Sequence, residues 1–386
     1  MHREVQVMPE KKHRRRGHGE GSIFQRKDGR WVAQITLENG EIKQYYRKSQ
    51  QDALKVLRKA QLEQEQGRLA TGPRQTVRQY LEYWLEIHQA TLKLSTCALY
   101  RRHLDNHILP GLGHYQLQSL TADQVQAFYA KKQKEGLSAS TLRLLHAILY
   151  TAFKDAVQWK RLSHNVCDAV KLPRLNQHEV RPLDQEQARR LLAVAKGTPL
   201  ECLLTLALVT GMRLGEILAL RWIDISFEEK TLQVRHTVDF IQGRGYVETE
   251  PKTARSRRTL ALPQIAMDAL KQHRTAQLET RLQVGARWKE QGLVFPNGCG
   301  WYLGRTRIHQ IFKKLLLEAG LPPMRFHDLR HSAATILLSM GVNAKVVQEI
   351  LGHSNISMTL GVYGHVLPSM QRDAMDDMDR LFREGK

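Results

Sequence analysis

The chain has 386 residues, of which 42% are hydrophobic and 25% charged, and this balance predicts two or three globular domains of ordinary composition. It holds no apolar run near the roughly 18 to 20 residues that cross a bilayer, and its first residues lack the apolar stretch of a secretory signal, so we expect a cytoplasmic protein. The 59 Lys and Arg against 38 Asp and Glu leave a net charge of +21. Such an excess favours a nucleic-acid partner, because each neutralised phosphate releases condensed counterions. Binding to a membrane surface, or solubility alone, is an alternative explanation of this net charge.

The first 60 residues carry 15 basic and 7 acidic side chains, a net charge of +8. Residues 1–20 form a basic tail that we expect to be disordered until it binds. Residues 21–70 predict a small module of three strands, the first two joined by an Asp28-Gly29 turn, and a helix over about 49–66.

Basic side chains surround Trp31, Tyr45 and Tyr46 in this module. The combination is typical of a small sheet that enters a DNA groove, and a solvated face over a small aromatic core is the alternative. The candidate DNA contacts are Arg26, Lys27, Arg30, Lys43, Arg47 and Lys48.

Residues 74–172, after a break at Gly72-Pro73, predict an almost purely helical domain. Apolar residues recur at helical spacing from Val77 to Leu85. Further helices are expected over about 95–108, 121–134 and 138–159, with Ser95, Thr121 and Ser138 as N-caps. Arg101 and Arg102 are candidate DNA contacts in this domain, although a charged solvent face explains many of its basic residues.

Residues 173–183 contain two prolines and predict a linker. Residues 184–386 predict a mixed domain, mostly helical from Pro263 onward. Its earlier helices are expected at 184–196, 199–210 and 213–221, and its strands near 223–226, 231–240, 246–249 and 258–261. The scattered Cys97, Cys167, Cys202 and Cys299 predict neither a disulfide framework nor a thiolate zinc site.

Short motifs rich in basic residues recur through this third domain. They are TGMRLGE at 210–216, PKTARSRR with Lys252, HDLRH at 327–331, LGHS at 351–354, and Tyr363, ten residues beyond His353. Cleavage of a phosphodiester without a metal needs a nucleophile, cations on the non-bridging oxygens, a proton acceptor and a proton donor. Tyrosine, two arginines, histidine and lysine supply these functions, because guanidiniums fork onto phosphoryl oxygens.

These motifs resemble the signature boxes of the tyrosine recombinases, the family of phage lambda integrase and Cre. The resemblance covers about residues 74–380 and implies roles for eight residues. Arg213 and Arg330 would bind the scissile phosphate, Lys252 would protonate the leaving hydroxyl, His327 would support acid–base catalysis, His353 would hydrogen-bond to the phosphate, and Tyr363 would be the nucleophile. Glu216 resembles the acidic residue that orients the site, and His331 belongs to the signature with a structural role.

The resemblance also implies the fold and the reaction. The fold would be a sheet-plus-helix module similar to the arm-site-binding domain of phage and conjugative-element integrases, an all-α SAM-like core-binding domain, and a mostly helical α+β catalytic domain. Tyr363 would form a 3′-phosphotyrosine without metal, ATP or another cofactor. Four protomers would act on double-stranded attachment-site DNA at the bacterial nucleoid, with accessory host or excision factors.

Three other functions are compatible with parts of the pattern. A relaxing topoisomerase uses the same chemistry, but the arm-like module argues against it. A non-catalytic DNA-binding regulator would not need the full catalytic set. HDLRH also resembles the zinc motif HExxH, but Asp328 replaces the required glutamate and an arginine adjoins the histidines.

Beyond Tyr363, residues 369–382 predict a short amphipathic helix. Its apolar stripe consists of Met370, Ala374, Met378, Leu381 and Phe382, with Met375 at the edge. The stripe packs either on its own catalytic domain or, as the resemblance implies, on a neighbouring protomer.

Overall fold

The structure is a computed structural model of the chain and describes residues 21–37, 40–65, 73–175, 181–250, 257–352, 375–376, 378–380 and 382–383. The chain divides into two compact units, residues 1–177 and 178–386. No described helix is both long and apolar enough to span a membrane.

The first unit begins with an antiparallel sheet of order β1-β2-β3. Its strands are β1 (Ser22–Gln25), β2 (Trp31–Thr36) and β3 (Ile42–Arg47), and the helix α1 (Gln50–Glu65) follows. The predicted turn after β1 is confirmed, because Gly29 adopts a φ of 81° that favours glycine. Ala33 and Ile35 of β2 are fully buried in a cluster with Leu57 of α1, so the helix covers one face of the sheet.

Residues 73–175 are helical, as predicted. The helices are α2 (Val77–His88), α3 (Leu94–His103), α4 (Leu109–Leu112), α5 (Ala122–Lys134) and α6 (Ala139–Gln158). The apolar stripe of α2 is confirmed, since Tyr80, Leu81 and Trp84 are at most 1% exposed. A π-helical segment at 104–108 joins α3 to α4, so the helix predicted over 95–108 is not one regular helix.

Two of the three predicted N-caps are confirmed. The side chains of Thr121 and Ser138 accept hydrogen bonds from backbone N–H groups three residues onward, which satisfies donors at the start of α5 and α6. Ser95 is wrong as a cap, because α3 begins at Leu94 after Lys93 and Ser95 lies inside its first turn.

Further helices follow in the second unit. They are α7 (Gln185–Ala195), α8 (Glu201–Thr210), α9 (Leu214–Leu218), α10 (Gln264–Val284), α11 (Arg305–Glu318), α12 (Asp328–Ser339) and α13 (Ala344–Leu351). The helix predicted over 213–221 is shorter than expected. It begins at Leu214 and ends at Leu218, and a 3-10 segment follows from Trp222. Leu183, predicted in the linker, is buried in the core of this unit, and its N–H donates to Ser332 Oγ at 2.9 Å.

Two small antiparallel sheets lie in this unit. Their strands are β4 (Ile225–Ser226), β5 (Thr231–Val234), β6 (Thr237–Ile241), β7 (Gly245–Thr249) and β8 (Arg258–Ala261). The order is β4-β5-β8 in one sheet, and β6 pairs with β7 in the other. The single strand predicted over 231–240 is therefore wrong: the chain leaves the first sheet after Val234 and enters the second at Thr237.

Candidate active site

Arg213 lies in the turn between α8 and α9. Gly211 ends α8 with a left-handed φ of 62°, and a Cβ there would clash with the side chain of Leu351, so the turn depends on glycine. The backbone N–H of Arg213 donates to Glu216 Oε2 at 3.1 Å, and its Nη1 donates to Glu216 Oε1 at 2.7 Å. The Arg213 side chain is 39% exposed. Glu216 thus fixes one edge of a guanidinium that is still open to solvent.

Glu216 is buried and has a second basic partner. Arg258 Nη2 donates to Glu216 Oε2 at 3.0 Å. Burial alone would raise the pKa of Glu216, but the charges and hydrogen bonds of Arg258 and Arg213 hold it below the ordinary value of a glutamate. The carboxylate therefore stays ionised between two guanidiniums. Sequence reasoning identified Glu216 but missed Arg258, which the pattern alone does not separate from its basic neighbours.

Arg330 approaches the same turn from α12, which packs against α8. Its side chain is buried, and its Nη1 donates to the backbone oxygen of Gly211 at 2.8 Å. Gly211 is two residues before Arg213. Arg330 therefore binds the same turn that holds Arg213, the other predicted phosphate-binding arginine.

His327 immediately precedes α12, and His331 lies one helical turn later. Their rings meet edge to face with centroids 5.4 Å apart. Although His327 is an exposed residue, partial desolvation lowers its pKa, and His331, Arg330 and Arg213 lower it further. His327 lies three residues before Arg330, at the start of the helix that holds both Arg330 and His331. The lowered pKa favours the neutral imidazole, which is the form that can accept a proton.

Lys252, His353 and Tyr363 lie outside the described residues. Lys252 belongs to residues 251–256, which connect β7 to β8, and His353 directly follows Gly352, the left-handed cap of α13. The roles of these three residues stay predictions.

The β1-β2-β3 sheet presents its second face away from α1. Phe24 and Tyr46 are 42% and 37% exposed there, and both pair with the buried Val32. The guanidiniums of Arg26 and Arg30 lie 5.8 and 5.6 Å from the Tyr46 ring centroid. We call this surface the outer face.

The other predicted contacts of this module lie elsewhere. Lys43 pairs with Ile35, on the side that faces α1, and its ammonium lies 5.8 Å from the Tyr45 ring centroid. Partial burial lowers the pKa of Lys43. Arg47 pairs with Trp31 on that same side but is exposed. Lys27 and Lys48 are exposed beside the strands.

The basic residues predicted in the helical domain lie in the last turn of α3. Arg101 Nη1 is 3.9 Å from Asp105 Oδ1 and its side chain is 41% exposed, while Arg102 is exposed. Across the parts of the chain that the structure describes, no group of three or more His, Cys, Asp or Glu side chains is placed to hold a metal ion.

Comparisons with known proteins agree with this architecture. The model of the phage integrase family matches residues 181–370, and that of the phage integrase N-terminal SAM-like domain matches residues 76–133. A XerC-like tyrosine recombinase of Caldanaerobacter subterraneus subsp. tengcongensis is 33% identical over 326 residues, which are 80% of this chain and 83% of that protein. An integrase of Streptomyces ambofaciens is 30% identical over 387 residues, 96% of this chain and 99% of that protein.

Among solved structures, the fold is similar to that of the Tn1549 transposon integrase in complex with transposon right end DNA. The TM-score is 0.67 at 24% identity, and the match covers 79% of this chain and 99% of the other. The predicted fold, a small N-terminal sheet followed by a SAM-like helical domain and a catalytic domain, is confirmed. The chain belongs to the phage integrase family of tyrosine recombinases, enzymes that cleave and rejoin DNA in site-specific recombination.

Proposed function

We propose that this chain integrates and excises a mobile DNA element through a covalent intermediate on Tyr363. The arrangement that carries the proposal is the meeting of Arg213 and Arg330 at the turn after α8, with Glu216 holding Arg213 and His327 directly before the helix of Arg330. Two guanidiniums preorganised at one turn suit a phosphate whose charge grows in a pentacoordinate transition state.

The remaining groups complete one balanced step. The phenol oxygen of Tyr363 attacks the scissile phosphorus and yields its proton to a base, for which the neutral His327 is suited. The bond from phosphorus to the 5′ oxygen breaks, and Lys252 protonates that oxygen. His353 hydrogen-bonds to the phosphate. A 5′-hydroxyl of the partner duplex then attacks the phosphorus of the 3′-phosphotyrosine and gives its proton to the Lys252 amine. The bond from phosphorus to the Tyr363 oxygen breaks, and the base returns the proton to that oxygen, so a phosphodiester is restored and no cofactor is consumed.

A suicide substrate tests the proposal. A nicked core site loses its short 5′-hydroxyl strand after cleavage, so a catalytic protein accumulates as a covalent adduct with DNA. Absence of any adduct, with binding intact, would favour a DNA-binding regulator. A second assay with two attachment sites separates an integrase, which exchanges strands between them, from a topoisomerase, which only relaxes supercoils.

We further propose a function for each part of the chain. Residues 1–20 and 21–70 bind distal arm sites, and residues 74–172 bind the core site, with Arg101 and Arg102 among the contacts. Residues 173–183 link this domain to residues 184–386, which catalyse strand cleavage and rejoining. The outer face supports the first assignment, because it combines the guanidiniums of Arg26 and Arg30 with the exposed ring of Tyr46. A reaction on chromosomal sites would take place at the nucleoid, where host or excision factors could bias its direction.

Deleting residues 1–70 should leave cleavage of an isolated core site unchanged and abolish binding to arm-site DNA. Arg26→Ala alone should weaken arm-site binding by about 10- to 100-fold, as expected for loss of one groove contact. Gel-shift titrations on arm-site and core-site duplexes measure both effects.

The matched control is Lys43→Ala, which removes a basic residue from the side of the same sheet that faces α1. It should leave arm-site affinity within the range of the unmodified protein. Equal losses from Arg26→Ala and Lys43→Ala would show that net charge, and not the outer face, governs binding.

We propose that the protein works as a tetramer on paired duplexes, since two rounds of strand exchange require four nucleophiles. The C-terminal segment supports contact between protomers. Its described residues 375–376, 378–380 and 382–383 are helical, and Met375, Met378 and Phe382 are 60%, 49% and 73% exposed. An exposed apolar stripe of this kind fits a pocket on a second copy, and methionine adapts to a contact that must be released and remade. Most of the predicted helix 369–382 lies outside the described residues.

Deleting residues 369–386 should spare binding of one protomer to a half-site and reduce cooperative binding to a full site. Met378→Glu should reduce cooperativity by about tenfold or more, because a buried apolar anchor contributes on the order of 2 kcal/mol. Asp376→Ala, on the polar side of the same segment, is the control and should bind cooperatively. Normal cooperativity and recombination in the deletion variant would refute docking on a neighbour, and a deletion variant that unfolds would indicate packing within one chain.

A further inference from the structure

Arg258, the first residue of β8, is almost completely enclosed by protein. Its side chain is 7% exposed. Its Nη2 donates to Glu216 Oε2 at 3.0 Å, and its Nε donates to the backbone oxygen of Ile350 at 2.7 Å. A buried guanidinium is costly unless its N–H groups find acceptors, so these contacts fix its position.

The contact with Glu216 links Arg258 to Arg213. Oε1 of the carboxylate accepts a hydrogen bond from the Arg213 side chain. Oε2 accepts two, one from the backbone N–H of Arg213 and one from the Arg258 side chain. Arg213 is partly open to solvent, whereas Arg258 is not. The buried guanidinium therefore anchors a carboxylate that orients the exposed one.

The contact with Ile350 links Arg258 to the end of α13. That helix ends at Leu351, and Gly352 caps it with a φ of 68° immediately before His353. Carbonyl oxygens in the last turn of a helix lack partners within the helix and carry partial negative charge, so a guanidinium there fixes the helix end. Arg258 thus fixes the point from which the chain continues to His353 and Tyr363.

We propose that Arg258 is a positioning residue that holds Arg213, through Glu216, in register with the end of α13. One side chain on β8 thereby joins two parts of the site that lie far apart in sequence. Arg258 itself touches no DNA. The inference rests on the proposed function, in which Arg213 and His353 act on the scissile phosphate.

The exposed neighbour Arg257 has a different arrangement, since its guanidinium pairs with Glu250. Val234 is the residue directly opposite Arg258 in the β5-β8 pair and is 2% exposed. Val234→Ala therefore loosens the same place in the sheet without touching the charged groups, and it serves as the matched control for stability.

The test uses the full-length protein and three suicide half-sites. The first has an ordinary scissile phosphodiester. The second has a methylphosphonate, in which a methyl group replaces a charged non-bridging oxygen. Its transition state therefore carries less negative charge for the guanidiniums to stabilise. The third has sulfur in place of the 5′-bridging oxygen, and the thiolate it releases needs no proton from a general acid.

Arg258→Gln should form the adduct with the phosphodiester about 100-fold more slowly, the loss typical of a misplaced transition-state donor. Its half-site affinity should be unchanged. On the methylphosphonate, the variant should be less than about tenfold slower than the unmodified protein, because the substitution impairs charge stabilisation at the phosphate. On the sulfur substrate, the variant should be slowed as much as on the phosphodiester. Arg258→Lys should be intermediate, since an ammonium keeps the charge beside Glu216 but lacks the fork to reach Ile350 as well.

In a double variant with Glu216→Gln, the loss should be well below the product of the two single losses, because part of the effect of Arg258 passes through Glu216. An equal deficit on all three substrates, matched by Val234→Ala, would show that Arg258 only stabilises the fold. Rescue by the sulfur substrate alone would show that it acts through Lys252. Unmodified rates in Arg258→Gln would refute the inference alone, whereas a wild-type protein that forms no Tyr363-dependent adduct would refute the proposed function.

Discussion

Replacing Tyr363 by phenylalanine should abolish the covalent adduct while leaving binding to the core site intact. The change removes one oxygen and almost no volume, so the fold should be unaffected. Without the phenol oxygen no bond to phosphorus can form, and adduct formation should fall by at least about 10⁴-fold, as when other enzymes lose their nucleophile. A suicide half-site resolved on a denaturing gel measures the adduct, and a gel shift measures binding.

Tyr302 provides the control, because it is the next candidate nucleophile in the same unit. It is buried, its hydroxyl donates to Glu248 Oε2 at 2.6 Å, and burial together with Glu248 raises its pKa to about 12. A buried phenol that so strongly favours its protonated form is a poor nucleophile. Tyr302→Phe should therefore form the adduct at a near-normal rate. An adduct in Tyr363→Phe that disappears in the double variant would reverse these assignments.

Arg213→Lys and Arg330→Lys should each slow cleavage by about 100- to 1000-fold although the charge is kept, as expected when one preorganised donor is lost. An ammonium is a point charge and cannot fork onto two phosphoryl oxygens. Single-turnover adduct formation at saturating protein measures this loss separately from binding. Near-normal turnover in either variant would show that the site does not use guanidinium geometry.

The two variants should differ in stability. Arg213 is 39% exposed, so its replacement should change the unfolding midpoint little. Arg330 is 3% exposed and donates to Gly211, so Arg330→Lys should also cost about 1 to 3 kcal/mol of unfolding free energy through the lost charged hydrogen bond. Thermal unfolding of both variants checks this contrast. Equal stabilities would mean that the lysine finds the same acceptor.

Local pattern was enough for the features whose cause is local. The Asp28-Gly29 turn, the caps at Thr121 and Ser138 and the apolar stripe of α2 each depend on residues a few positions apart. The spacing of Glu216 from Arg213 also reflects one helical turn, and the structure joins the two directly. Helical and strand periodicity therefore predicted the succession of elements well.

The features that local pattern missed depend on distant partners. Arg258 is distinguished from Arg257 only by its contacts with Glu216 and Ile350. The break between β5 and β6 is a change of sheet that leaves the alternation of apolar residues intact, so 231–240 resembles one strand. Leu183 belongs to the core because Ser332 binds its backbone, a contact that its proline-rich neighbourhood does not indicate.

Three hydrogen bonds assemble the site, and each joins residues that are far apart in sequence. The separation is 42 positions for Glu216 and Arg258, 92 for Arg258 and Ile350, and 119 for Gly211 and Arg330. Contacts between residues so far apart in sequence require the intervening chain to have been synthesised and closed into loops. During synthesis the N-terminal module and the helical domain emerge first and can fold as units before the cleavage site exists. A nascent or truncated chain that ends before Ile350 could occupy DNA but would lack the arrangement that breaks it. The arrangement that cleaves DNA therefore cannot form until the chain has been synthesised through Ile350.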